Sequence, residues 1–246
     1  MSKKYEFTGE VKTVLGVELK QIRALISFGV VVKGELGGWI ESEKNLDASG
    51  NAWVSGDAWV YGNARVSGDA QVSGNAWVYG DAWVSGNAWV YGNARVSGDA
   101  QVSGNAQVSG NARVYGNAWV YGNARVSGDA RVYGNARVYG DAWVSGDARV
   151  YGNARVYGNA DFMLVGPLGS RRAFLTIHAD AKIGIRWTTG CFSGSVDQFK
   201  DDIQKTHGDN EYARQYRAAI EFASSVVKSK AKSEINASTE NGAGRE

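Results

Sequence analysis

Residues 129–146 read DARVYGNARVYGDAWVSG. One six-residue unit occurs there three times: Asn or Asp, Ala, a variable residue, Val, Ser or Tyr, Gly. The unit runs without a break from Asn51 to Gly158, which makes 18 copies. Ala and Val alternate with the variable residue and Ser/Tyr. That is the period of a strand, so Ala and Val share one face and the other two share the opposite one. Gly followed by Asn or Asp tolerates positive φ, so each unit should end in a corner. Each copy therefore predicts one short strand and one turn, with Ala and Val inside. The backbone groups should pair with the coils above and below.

The number of sides per coil follows from packing. Packed sheets lie ~10 Å apart, so the side chains of one wall fill ~5 Å. A six-residue side, less its corner, is roughly 17 Å long, and an equilateral triangle on it has an inradius of about 5 Å. A square would leave a void that Ala and Val cannot fill. The Ser/Tyr slot agrees: from Ser109 to Tyr157 it reads Ser, Tyr, Tyr three times over. One coil is then 18 residues, and 18 units at three per coil make six coils. At ~4.8 Å per coil the prism is roughly 29 Å long.

Stacking the units three by three sorts the outward residues into columns. A first face carries Trp59, Trp77, Arg95, Arg113, Arg131 and Arg149, beside Tyr61, Tyr79, Ser97, Tyr115, Tyr133 and Tyr151. A second carries Trp53, Gln71, Trp89, Gln107, Arg125 and Trp143, with Ser beside every level except Tyr91. The third carries Arg65, Trp83, Gln101, Trp119, Arg137 and Arg155, with Tyr121, Tyr139 and Tyr157 at its last levels.

The flanks differ in composition. Segment 1–50 is non-repetitive, with β-type runs around KYEFTG, VLGVELKQIRAL and VVVKGELGGWIE, and reads as an N-terminal β cap in which Trp39 and Ile40 lead into the first coil. Segment 159–228 reads as an α+β C-terminal cap. It opens on a degenerate unit, NADFML, with Phe162 in the core Val slot. AFLTIHAD and KIGIRWTT then form a hairpin or meander. A helix follows, with Ser195 as N-cap, Gln198 three residues on, Val196, Phe199 and Ile203 on one face and Gly208 as the stop. A second helix over about 210–228 buries Tyr212, Tyr216, Ala219, Ile220, Ala223 and Val227. Residues 229–246 are nearly devoid of apolar side chains, which predicts disorder.

The N-terminal stretch YEFTGE…IRAL…KGELGGWIE, the array, and the ending GPLGSRRAFLTIHAD…GCFSG…FKDDIQKTHGDNEYARQY together resemble phage- and prophage-borne hexapeptide-repeat proteins. The resemblance implies a mainly β fold, a triangular left-handed parallel β-helix. The handedness comes from the resemblance, since parallel crossovers in general favour the right-handed sense. It also implies self-association, trimers being common among such prisms, or the blocking of a host factor. It brings no agreed activity with it.

Chemistry is hard to place. Many hexapeptide-repeat prisms are acyltransferases that use a histidine on a coil or inserted loop, but this array holds no His, Cys, Glu or Lys. Related carbonic anhydrases hold zinc with three histidines, whereas His178 and His207 are the two present and both lie outside the array. No cofactor motif occurs. His178 reads as a residue of a cap strand, and His207 as the cationic end of a helix. Cys191, the single cysteine, reads as a small buried residue. One cysteine, no apolar leader and no long apolar run point to the cytoplasm and away from a membrane.

Two readings of the outward columns stay open. In the first, the chain is a non-catalytic binding protein whose Trp/Arg/Tyr faces meet a host protein or its own copies; seven outward Trp favour this. In the second, the four-arginine column with its tyrosines grips a small anion such as a nucleotide, or nucleic acid, with Asp129 and Asp147 offsetting part of its charge. Eight Arg against seven Asp give the array only +1, far from the basic footprint of a duplex-DNA binder. The simplest alternative is that long flat side chains stack on themselves and keep the prism soluble.

Overall fold

The computed structural model describes residues 3–152, 154–156, 162–180 and 183–240. The chain divides into two compact units, 1–159 and 160–246.

The first unit begins with an antiparallel hairpin, β1 (Tyr5–Val14) and β2 (Val17–Ala24), followed by β3 (Leu36–Ile40). Eighteen two-residue strands follow, β4 (Trp53–Val54) through β21 (Arg155–Val156). They fall into three parallel sheets with every strand paired to the one 18 residues on, as Arg95 with Arg113. The array is therefore a three-sided β-solenoid of about six turns, as the triangle argument requires. From Ala52 to Val156 every Ala and Val of the unit is fully buried.

The corners carry two constraints. At Gly110 φ is 66°, and a Cβ there would lie 2.9 Å from the backbone N of Gly128 one coil on. Left-handed backbone and close stacking thus both call for glycine. The Asn side chains beside these glycines form a ladder of their own. Asn75 Nδ2 donates to Asn93 Oδ1 (3.2 Å), Asn93 to Asn111 (3.1 Å) and Asn111 to Asp129 (3.0 Å). Asp can only accept, so this chain of amides terminates at Asp129.

The ladder has a direction. At the variable, Ser/Tyr and many of the Asn/Asp positions the N–H donates to a carbonyl one coil further on, as Trp59 N to Ala76 O (2.9 Å), while many Ala N–H groups turn back within the corner, as Ala58 N to Ser55 O (3.4 Å). Orphan carbonyls therefore collect at the N-terminal end, where donors must come from elsewhere. The solenoid starts before residue 51: Trp39–Ile40 stacks on Trp59–Val60 and Leu46 bridges to Val66. Buried Asn45 donates through Nδ2 to Gly62 O (3.0 Å) and Ala64 O (2.9 Å). Buried Lys4 donates through Nζ to Ala52 O at 2.9 Å. The hairpin extends the first sheet past β3 and leaves β1 at its edge, where Glu10 and Lys12 are the charges that discourage further pairing.

In the second unit β22 (Phe162–Leu168), β23 (Ala173–Asp180), β24 (Gly184–Thr189) and β25 (Phe192–Gly194) form an antiparallel meander. Phe162 belongs to this sheet, paired with His178, and not to a last degenerate unit of the array. Two helices, α1 (Val196–His207) and α2 (Glu211–Glu240), share a core with the sheet that includes Leu175, Ile177, Trp187, Phe199, Ile203 and Tyr216. Helix α1 has the expected capping box of Ser195 and Gln198 and stops at Gly208. In α2 the buried stripe runs through Ala213, Tyr216, Ala219, Ile220 and Ala223, while Tyr212 faces outward. The side chain of Val227 lies outside the described residues. The segment expected to be disordered is helical as far as Glu240; its Ala, Lys, Ser and Glu residues extend a helix already nucleated, which avoids the cost of a new first turn. Residues 241–246 lie outside the described residues.

Candidate binding face

The first sheet brings the singled-out residues together. Its register runs Trp39, Trp59, Trp77, Arg95, Arg113, Arg131, Arg149, one residue per coil. The two ends of this column behave differently. At the tryptophan end the side chains satisfy one another. Lys12 Nζ sits 3.9 Å from the Trp39 ring centroid and 4.9 Å from that of Trp59. Trp59 stacks on Trp77 at 4.6 Å and 16°, and the Arg95 guanidinium caps Trp77 at 4.2 Å. Burial lowers the Lys12 pKa against the attraction of Asp57. Trp59 and Trp77 are thus half-buried members of an internal stack.

Beyond Arg95, no ring caps the arginines of this column among the described residues. Among the described residues no ion pair involves Arg95, Arg113, Arg131 or Arg149. Asp129, expected to offset part of the column's charge, lines the same groove with its carboxylate oriented by Asn111, and forms no ion pair among the described residues. Nor does Asp147 form an ion pair among the described residues. Arg95, Arg113 and Arg131 line an open groove of about 440 Å³ with Asn75, Asn93, Asn111, Asp129 and Trp77.

On the other flank of the arginines stand the tyrosines. Tyr61 stacks on Tyr79 at 5.1 Å, Tyr115 on Tyr133 at 4.9 Å and Tyr133 on Tyr151 at 5.0 Å. Burial, then the neighbouring tyrosines, raise the Tyr133 pKa, with Arg149 and Arg131 pulling it down. Tyr61 is raised in the same way by burial and Tyr79, against Arg95. Where the rungs are filled, rings 4.9–5.1 Å apart leave no slot for a further ring between them, since stacked ring centroids themselves lie ~4.5–7 Å apart.

The exposed tryptophans are on the other two faces: Trp83 (48%), Trp89 (53%), Trp119 (40%) and Trp143 (53%). Trp83 Nε1 donates to Ser67 Oγ (3.0 Å), Trp143 Nε1 to Ser127 Oγ (3.3 Å), and Arg137 lies 5.0 Å from the Trp119 ring. Trp53, expected to face outward, is buried: Phe28, from the loop between β2 and β3, packs edge-on against it at 5.4 Å. Gly37 packs against the same ring: a Cβ there would sit 2.7 Å from Trp53 Cζ2 and 2.5 Å from Ile22 Cγ1. Sequence periodicity gives the column of a tryptophan but not what a distant loop lays over it.

The second unit has its own cleft, of about 560 Å³, floored by Phe192, Phe199 and Tyr216 and rimmed by Arg171, Asp202 and His207. Cys191 lines it and is exposed, correcting the expectation of burial. It lies in the turn joining β24 and β25, and Arg171 Nη1 approaches its Sγ at 3.7 Å. His207 ends α1 as expected and stacks on Tyr216 at 5.8 Å; His178 is buried on β23. Among the described residues no cluster of three His, Cys, Asp or Glu could hold a metal, and no helix is long and apolar enough to cross a membrane.

Seven segments match the model of the YdcK Beta solenoid repeat: residues 58–72, 70–86, 88–104, 106–122, 120–132, 130–146 and 148–160. A search of curated proteins finds no match. The matched segments coincide with the coils that carry the arginine and tyrosine columns, so over the array this chain is similar to beta solenoid repeat proteins of the YdcK type.

Proposed function

We propose that the protein is a non-catalytic binding scaffold whose arginine–tyrosine face docks an acidic protein surface. The observation that carries this reading is the column Arg95, Arg113, Arg131 and Arg149, in register on consecutive coils beside an open groove and without an ion pair among the described residues. Like charges one coil apart repel by ~1 kcal/mol per pair even in water. A partner's carboxylates relieve that repulsion and gain charge-assisted hydrogen bonds. The stacked tyrosines alongside supply rigid, amphipathic area that loses little entropy on binding. An acidic protein fits better than a nucleotide, because four arginines on consecutive coils span ~14 Å, a length that a row of carboxylates matches and one nucleotide's phosphates do not. It fits better than duplex nucleic acid, because the array is nearly neutral.

The resemblance to phage- and prophage-borne repeat proteins supports a left-handed winding and a host protein in an infected cytoplasm as the partner; a second copy is the other protein candidate. The test is fluorescence anisotropy with a labelled polyglutamate peptide, beside light scattering behind size exclusion at two salt concentrations. Binding that weakens with salt and is lost in Arg113→Ala/Arg131→Ala supports the reading. An oligomer that dissociates in salt and in the same variant makes the acidic surface the protein's own. No peptide binding and a salt-insensitive monomer overturn it.

A further inference from the structure

The tyrosine column has one missing rung. It reads Tyr61, Tyr79, Ser97, Tyr115, Tyr133, Tyr151, and the backbone is unbroken at the serine: Tyr79 N donates to Val96 O (3.0 Å) and Ser97 N to Val114 O (2.9 Å). Rings in the filled rungs sit 4.9–5.1 Å apart. Across Ser97 the rings of Tyr79 and Tyr115 are two coils apart, roughly 9.6 Å at ~4.8 Å per coil. One flat ring placed between them would restore the spacing of the rest of the ladder on both faces. Beside this rung stand Arg95, already over Trp77, and Arg113, without an ion pair among the described residues. On the other side, past the corner glycine, lies Asp99.

We infer that the Ser97 rung is a socket for one aromatic side chain of the acidic partner, inserted between Tyr79 and Tyr115 with its neighbouring carboxylates on the Arg95–Arg113 side. This rests on the acidic-partner reading above and adds the residue that fixes register on an otherwise repetitive face. A repeat of identical rungs lets a ligand slide by one coil; a single gap does not. The inserted ring gains two stacking contacts of the kind the ladder already makes. The carboxylates lie toward the arginines because Asp99 repels them on the other side.

The experiment uses the full chain and two labelled peptides, identical runs of glutamate that end in either a single Trp or an Ala. The Trp peptide should bind about tenfold more tightly, as expected for a ring stacked on both faces. In Ser97→Tyr, which puts into this rung the residue that all the other rungs of the column carry, the two peptides should bind alike. In Ser97→Ala the tenfold difference should persist. Equal binding of both peptides to the unchanged chain, still lost in Arg113→Ala/Arg131→Ala, overturns the socket and leaves the acidic-partner reading standing. Binding of neither peptide overturns both.

Discussion

At the corners a single atom decides what the chain tolerates. Gly146 and Gly110 have nearly the same φ, 63° and 66°, but a Cβ at Gly146 meets nothing within 4 Å whereas one at Gly110 meets the next coil. Gly146→Ala should therefore cost the left-handed backbone alone, about 1–2 kcal/mol. Gly110→Ala should cost at least ~1 kcal/mol more, for the backbone it displaces. Urea unfolding of the two variants separates the terms, and equal losses would contradict the close-stacked corner.

Lys4 carries a second residue-scale prediction. Burial pulls its pKa down to about 8, against the attraction of Asp47 and Asp69. A lysine whose folded value lies below its unfolded value of 10.5 releases its proton on folding, so it makes stability rise with pH between about 8 and 10.5. Burial, with Glu43 and Asp47, pushes the Tyr5 phenol up from 10.0, and that opposes the rise above pH 10. Between pH 8 and 10 the stability advantage of the unchanged chain over Lys4→Met should therefore grow, as thermal unfolding across that window would measure. An advantage that shrinks with pH would mean the ammonium is stabilised, not strained, at the end of the solenoid.

Among the elements, the three sheets were legible because their pattern is local. The order Ala-x-Val-Ser/Tyr with a corner Gly gives the strand, its inward face and the 18-residue register, and these place Arg95, Arg113, Arg131 and Arg149 in one column. What covers a column is not local. Burial of Trp53 depends on Phe28, and the partners of Trp59 are Lys12 and Trp77. Exposure of Cys191 follows from its place in the turn that lines the cleft, which the local sequence does not show. In α2 the stripe starts at Ala213 instead of Tyr212 and then runs as expected through Tyr216, Ala219, Ile220 and Ala223; at i−3 and i−4 from Tyr216 both positions fit a helix face, so spacing alone does not choose between them. The arginine column itself makes a prediction at this scale. Gln already occupies the same slot at Gln71, Gln101 and Gln107, so Arg113→Gln is sterically acceptable. It should raise stability by ~1–2 kcal/mol at low salt, through relief of repulsion from Arg95 on one side and Arg131 on the other. The gain should vanish at 1 M salt, where screening acts within ~3 Å. A loss of stability at low salt would show that the arginines stabilise one another through stacking.

For the whole molecule, the array sums to a charge of +1, yet four of its arginines stand in one line with no ion pair among the described residues. Function on this view depends on placement and not on net charge, and the most direct measurement compares two variants of equal charge. Arg113→Ala/Arg131→Ala removes two rungs of the line; Arg65→Ala/Arg125→Ala removes two arginines from the other faces. Anisotropy titrations with the polyglutamate peptide at fixed low salt should show binding lost in the first and kept within about twofold in the second, since a surface charge remote from the contact is worth a few tenths of a kcal/mol. Equal weakening in both would contradict a binding face and reduce the arginine column to solvated surface.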